Sequence, residues 1–478
     1  MSCSPKNGRK TIIITLSNRA VWRNLFFSPK GVFGELLSLA SRVPNIEIVV
    51  LTEKKDFEKY KNQLAKNFNG FENVVSANAP SPKGRMLGKL FYFFYSYLIY
   101  TDTTKLLATM GTRPDEPPAG GNRALSFFKW IVSVTFGKIA AVKLKLVPFL
   151  FFKIFKERPF KEILEKYKPQ VVFTSHLYDW FDQELLAECK RQGIFTFGMA
   201  AGWDHLDKYY LPLHADKLLV QSEEMLSNAK KYQLYKDKET EIVGYPHFDF
   251  LTDQKFVLPE EEVLSRLSMP KDANYLLYVS GSAYCPDEPQ IIEKIISWIE
   301  EEKFGKDMYL VIRPYLGGRG KDKEFDQKKY LRFADNPKVR FYGEDFWNDF
   351  AEGVHFTNII RRARVVLAIF TTMALEAVVM DRPILAIGFD GYIKRPRHRS
   401  IRRFELFLHF QHVRETGAMP TAYSFEELFS FIKKYLENEG LLKEERKIMR
   451  ERMCYKLDGG ASARVVKQIW QELKKTGQ

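Results

Sequence analysis

The 478-residue chain has no apolar run near the ~20 residues that a membrane-spanning helix requires. It has only four cysteines, Cys3, Cys189, Cys285 and Cys454, and they are scattered without metal-ligand spacing. That excludes a disulfide framework and a zinc centre, and it suits a reducing compartment. The Gly-x-x-x-x-Gly-Lys-Ser/Thr loop is missing, as are a Gly-x-Gly-x-x-Gly turn after a strand, His-Glu-x-x-His and the Gly-x-Ser-x-Gly elbow. No repeat or low-complexity tract occurs. The start, Met1–Lys6, is polar and leads straight into a strand, so no signal peptide is expected.

What is present is apolar, aromatic and basic. Hydrophobic residues make up 45% and aromatic residues 14%, enough to fold, and the length suits two domains. The formal charge of +15 is uneven. Residues 81–168 carry 16 Lys/Arg against 6 Asp/Glu, and residues 394–403 carry six basic residues and no acidic one. Charge this local implies an anionic partner.

Apolar strand-like runs alternate with helical patterns. In the first half they are Thr11–Ser17, Ile46–Leu51, Gln170–Ser175, Ile194–Met199, Ala215–Val220 and Ile242–Pro246. A helix near 31–42 carries Glu35, and others cover Gln183–Arg191 and open at Ser222. The second series is Tyr275–Ser280, Met308–Ile312, Val339–Tyr342, Val365–Phe370 and Ile384–Ile387. Such alternation predicts an α/β protein with two tandem Rossmann-like, doubly wound domains and a cleft between them. The expected division is 1–247, a linker over 248–272, 273–460, and a last helix within 461–478 packing back across the domains.

Residues 84–160 interrupt the first half. Leu87–Tyr100 and Phe127–Lys156 read as two helices joined by a loop over 111–122. Lysines 129, 138, 143, 145, 153 and 156 oppose a spanning helix but suit an interfacial one. The plainer alternative is a helical part of the core with solvated lysines.

Several residues suggest chemistry. Thr371, Thr372 and Glu376 follow an apolar run at the start of a helix, where hydroxyls and free N–H groups suit a diphosphate and a carboxylate suits sugar hydroxyls. The structural alternative is a threonine cap and an exposed glutamate. Arg313 ends a strand, where a guanidinium fork suits phosphate, or a surface ion pair. Gly281 and Ser282 form a small loop after the first strand of the same domain, which lets backbone approach phosphate or simply turns. In the first half, Ser175-His176-Leu-Tyr-Asp179 and Gly202-Trp203-Asp204-His205 lie at strand ends. Each offers a base for an acceptor hydroxyl, with Asp204 and His205 ahead of His176, Trp203 available for stacking and Glu35 an outside candidate. For each histidine the alternative is a structural bond to backbone.

These segments together resemble the two-Rossmann-domain glycosyltransferases called GT-B. They are most similar to the branch of CDP-glycerol glycerophosphotransferases and capsule or surface-polysaccharide transferases. The likeness rests on Val220-Gln-Ser-Glu-Glu with Ile242-Val-Gly-Tyr-Pro-His-Phe-Asp249, on Ile312-Arg-Pro314, on Thr371–Glu376 with Arg382-Pro383, and on Asp458-Gly-Gly-Ala-Ser-Ala-Arg464. It covers roughly residues 170–475. Arg313 stands where many members have histidine, and the Gly-Thr-Pro-Leu-Lys element of the glycerophosphotransferases is absent. Those departures favour a sugar donor over CDP-glycerol.

The resemblance implies a metal-independent glycosyltransferase that needs no cofactor besides its nucleotide-activated donor. Its acceptor would be a cell-surface glycan or lipid-linked saccharide, reached from the cytoplasmic side of an anionic membrane. Arg313, Thr371 and Thr372 would hold the diphosphate, Glu376 the ribose or sugar, and Asp204 or His205 would be the base. The alternatives are a CDP-polyol transferase, a nucleotide-sugar epimerase, and a non-catalytic nucleic-acid-binding protein. The aliphatic content of the basic tract disfavours the last.

Overall fold

The computed structural model describes residues 9–81, 84–109, 114, 124–315, 321–343 and 349–475. Cys3 and the expected loop over 111–122, apart from Pro114, lie outside them. The chain divides into two compact units. The first comprises Met1–Thr101, Phe127–Phe250 and Tyr455–Gln478; the second comprises Asp102–Ser126 and Leu251–Cys454.

Each unit is built on one parallel sheet. In the first, β1 (Lys10–Leu16), β2 (Ile46–Glu53), β3 (Val74–Ala77), β4 (Val171–Thr174), β5 (Phe195–Met199), β6 (Lys217–Val220) and β7 (Thr240–Ile242) lie in the order 3-2-1-4-5-6-7. In the second, β8 (Asn274–Val279), β9 (Met308–Arg313), β10 (Val339–Phe341), β11 (Val365–Ala368), β12 (Ile384–Ile387) and β13 (Thr421–Ala422) lie in the order 10-9-8-11-12-13. Both sheets are therefore the doubly wound α/β arrangement expected from the alternation.

The central strands are continuous apolar runs because helices cover both faces of a parallel sheet. Ile12, Ile13 and Ile14 of β1 are fully buried, as are the four residues of β11. One face of the first sheet packs Ile13, Val49 and Val172 against Leu164, Phe181 and Leu185. Two edge strands had no clear sequence signal. β3 is a half-buried four-residue segment, and β13 is only two residues long.

The insertion differs from the two expected helices. Helices span Met86–Ser96, Asp102–Thr109, Ala124–Val134 and Val147–Ile154, with a tight 3-10 turn (Phe136–Lys138) and a wide π-helical turn (Val142–Leu146) between the last two. The expected continuous helix over Phe127–Lys156 breaks at Gly137. A Cβ there would lie 2.3 Å from the Leu98 carbonyl oxygen, so the backbones meet at a point only glycine allows.

Two of the motifs behind the resemblance meet in the first unit. Asp249 accepts from the backbone N–H groups of Ala461 (3.0 Å) and Ser462 (2.7 Å), capping the last helix, Ala461–Lys475. Arg464 donates from Nε to the Val243 carbonyl at 2.8 Å and from Nη1 to Asp458 at 2.9 and 2.8 Å. Lys10 secures the other end of the helix at the Leu473 carbonyl, 2.6 Å away. These residues fasten the terminal helix to the first sheet.

Candidate functional site

The candidate residues of the first unit collect at the carboxyl ends of β1, β4 and β5, where open parallel sheets hold their ligands. His176 follows β4, and its backbone N–H donates to the buried carboxylate Asp182 at 2.6 Å. Its Nδ1 lies 3.3 Å from Asp179 Oδ2, at ion-pair distance but not aligned for a hydrogen bond. Asp179 is held from its other side by the Asn18 amide, 2.7 Å away, just beyond β1. The Asn18 side-chain oxygen accepts from the N–H groups of Ala20 and Val21, which fixes the amide. Burial opposes ionisation of Asp179, but His176, Asn18 and Ser17 outweigh it and hold the carboxyl below its usual range. Asp182, wholly buried, is pushed well above that range by desolvation and by neighbouring Asp179.

His205 comes to the same place from the loop after β5. Its ring stands edge-on to that of His176, with centroids 5.3 Å apart. The Gly202 N–H donates to His205 Nδ1 at 3.2 Å, leaving the ring proton on Nε2, 3.8 Å from Asp204 Oδ1. Asp204 is ion-paired with Lys208. The Tyr178 hydroxyl shares its one proton between the carbonyls of His205 and Tyr209, tying the two loops together. The structure thus unites His176, Asp179, Asp204 and His205. Trp203 is 6% exposed, packed into the wall and closed to stacking. Glu35 is half-buried on the helix Val32–Arg42.

In the second unit, the candidates lie at the ends of three adjoining strands, β9, β8 and β11. The sheet order reverses between β8 and β11, the usual position of a ligand crevice. Arg313 is half-buried, with its guanidinium 5.1 Å from the centre of the Phe356 ring. Its carbonyl accepts from Ser280, joining β9 to the loop after β8. Gly281 and Ser282 have inward partners. The Gly281 N–H donates to Glu288 Oε1 at 2.7 Å, and the Ser282 hydroxyl donates to Asp326 Oδ2 at 2.9 Å. Glu288 is itself paired with buried Lys329 and accepts from Tyr330 at 2.7 Å. Lys329 also donates to the carbonyls of Gly281 and Cys285. A buried charge cluster therefore shapes this loop.

Thr371 is half-buried and Thr372 exposed before the short helix Met373–Val379. Thr371 Oγ1 accepts from the Met373 N–H at 3.4 Å, while the Thr372 side chain makes no cap bond. Glu376 is 4% exposed, so the alternative of a solvated helical glutamate does not hold.

The expectations missed Asn18, Lys208, Glu288 and Lys329. Only Asn18 had a readable signal, since Ser17-Asn18 follows a strand as Ser175-His176 does. Glu288 and Lys329 are 41 positions apart and meet only in three dimensions.

No protein-family model matches the chain, and no curated protein does. Solved structures do. A putative UDP-N-acetylglucosamine 2-epimerase from Listeria monocytogenes is 13% identical, with 98% of each chain covered and a TM-score of 0.55. The UDP-GlcNAc 2-epimerase of Neisseria meningitidis, solved with UDP-GlcNAc, is 11% identical, covering 96% of this chain and 100% of that one at a TM-score of 0.53. A glycosyltransferase from Rickettsia africae is 10% identical, covering 98% and 99% at a TM-score of 0.50. With two doubly wound parallel sheets matched end to end, the chain has the two-domain α/β fold called GT-B.

Proposed function

We propose that this protein transfers a sugar from a nucleotide-activated donor to a hydroxyl acceptor. The observation that carries the reading is the His176–Asp179 pair, braced by Asn18 at the ends of β1 and β4. An acceptor hydroxyl is a poor nucleophile until a base takes its proton. Ionised Asp179, with Oδ2 3.3 Å from His176 Nδ1, favours the ring proton on that nitrogen electrostatically, which leaves the Nε2 lone pair to accept from the acceptor. His205 has its Nδ1 lone pair occupied by Gly202, and Asp204 is neutralised by Lys208. Those two orient the acceptor rather than deprotonate it.

In the second unit, Arg313, Thr371 and Thr372 stabilise the departing diphosphate through charge-assisted and hydroxyl hydrogen bonds. The permanent charge of Arg313 does this without a metal. Glu376 fixes donor hydroxyls from its buried position, and Gly281 and Ser282 shape the loop beside them.

Likeness to 2-epimerases along the whole chain favours a second reading, inversion at a carbon of a sugar nucleotide. The two reactions separate in deuterated water. Incubation with UDP-, GDP- and CMP-sugars and CDP-polyols should release free nucleotide and leave unspent donor free of deuterium. His176→Ala should lower kcat about 100-fold or more while donor binding persists. Deuterium entering a sugar nucleotide without nucleotide release would establish the epimerase instead. Nucleotide release unchanged in His176→Ala would sink the proposed base.

A further inference from the structure

Among the described residues, seventeen large apolar side chains stand exposed, and twelve of them fall between Met86 and Phe149. The other five are spread over the rest of the chain. Such concentration is unusual, because soluble surfaces carry exposed apolar residues singly. The carriers in the first unit are the helix Met86–Ser96, the helix residues from Phe127 to Val134, the helix Val147–Ile154, and the turns between the last two.

These helices are well seated by their other faces. Phe91 packs on Phe151 (centroids 6.4 Å apart) and on Phe155 (6.0 Å), and Phe155 on Trp180 (4.6 Å). Met86, Phe127, Trp130, Phe136 and Phe149 are between 46% and 79% exposed. Residues 124–156 contain six lysines and no carboxylate. Lys129 and Lys143 are turned inward, against the rings of Tyr97 and Tyr210, while Lys138, Lys145, Lys153 and Lys156 are exposed.

A cavity of about 340 Å³ opens beside this surface, lined by Arg85, Phe155, Lys156, Glu157 and Glu184 among others, and Arg85 is paired there with Glu157 at 2.6 Å. Glu184 is 2% exposed, and its Oε2 has no hydrogen-bond partner. Burial pushes its carboxyl up to about 8, so near neutrality it is a hydrogen-bond donor rather than a negative charge. With Arg85 committed to Glu157, Lys156 is the exposed cation that this wall offers.

We propose that this face of the first unit seats on an anionic phospholipid membrane. The apolar side chains enter the acyl boundary, and the exposed lysines, Lys156 on the cavity wall included, meet headgroup phosphates. No described helix is long and apolar enough to cross a membrane, so the mode is interfacial. The inference does not depend on which reaction the protein catalyses.

Co-sedimentation of the full chain with vesicles tests it. Vesicles of phosphatidylcholine with about 30% phosphatidylglycerol should bind, pure phosphatidylcholine should bind about tenfold less, and high salt should weaken the difference. Phe127→Ser with Phe149→Ser should abolish binding to both. Lys138→Glu with Lys145→Glu should remove that roughly tenfold preference for anionic lipid. Unchanged thermal midpoints would show that the variants remain folded. Absence of vesicle binding overturns the proposal. So does a concentration-dependent dimer that the phenylalanine variants dissolve, or single-stranded RNA binding that the phenylalanine variants leave intact in a protein that ignores vesicles.

Discussion

Two segments of this chain each carry six basic residues and differ in what reaches them. Within residues 394–403, Arg395 and Arg403 are folded into the second unit by specific partners. Arg395 pairs with Asp287 and lies 3.8 Å from Asp390. Arg403 is 1% exposed and donates to the carbonyls of Arg399 (2.7 Å) and Ser400 (2.9 Å). Arg397 reaches buried Glu405, and Arg402 stacks over Tyr423. Residues 124–156 contain no carboxylate, and most of their lysines face outward. Local charge density is therefore a poor guide to binding. The deciding quantity is whether distant carboxylates reach the cations, as they do for Arg395 and Arg397.

The largest test of this contrast removes a partner from the folded-in segment. Both side chains of the Asp287–Arg395 pair are only 12% exposed. Asp287→Ala should cost about 3 kcal/mol, read in chemical denaturation, because it leaves a buried guanidinium poorly compensated. Adding Arg395→Met should recover much of that loss. No recovery would mean that the pair shapes the loop rather than merely neutralising charge.

A smaller effect belongs to the inward lysine of the other segment. Burial lowers Lys143 from 10.5 to about 8. The unfolded chain then binds more protons than the folded one between about pH 8 and pH 10.5, so this residue makes stability rise with pH across that window. Lys143→Met should remove that rise, seen as the difference between variant and parent midpoints at pH 7.5 and 9.5. The smallest effect is expected outside. Lys138→Glu and Lys145→Glu should each change stability by less than about 0.5 kcal/mol, as for other solvated surface charges. A larger loss would place these lysines with the folded-in arginines.

Much of the architecture was legible because it depends on local pattern. Ile384–Ile387 was read at its observed bounds, and most other strands within a residue or two. The misses have physical causes. β3 and β13 are short edge strands with little apolar surface to bury. The break at Gly137 depends on a carbonyl 39 positions away. The candidate site was legible as a set of strand-end residues but not as a division of labour. Asp204 and His205 drew attention in sequence, yet the fold commits them to Lys208 and Gly202 while bracing Asp179 beside His176 through Asn18.

By itself the sequence determined that there would be two parallel sheets and which residues would sit at their carboxyl ends. Strands buried on both faces must be continuous apolar runs, and loops must follow them. Only the tertiary structure decided which polar groups were consumed internally. Gly281 meets Glu288, Arg395 meets Asp287, and Asn18 meets Asp179 across separations of 7, 108 and 161 positions. Hydrogen bonds and ion pairs act over a few ångströms. Their partners are therefore chosen by the fold, whereas hydrophobic periodicity is written along the chain.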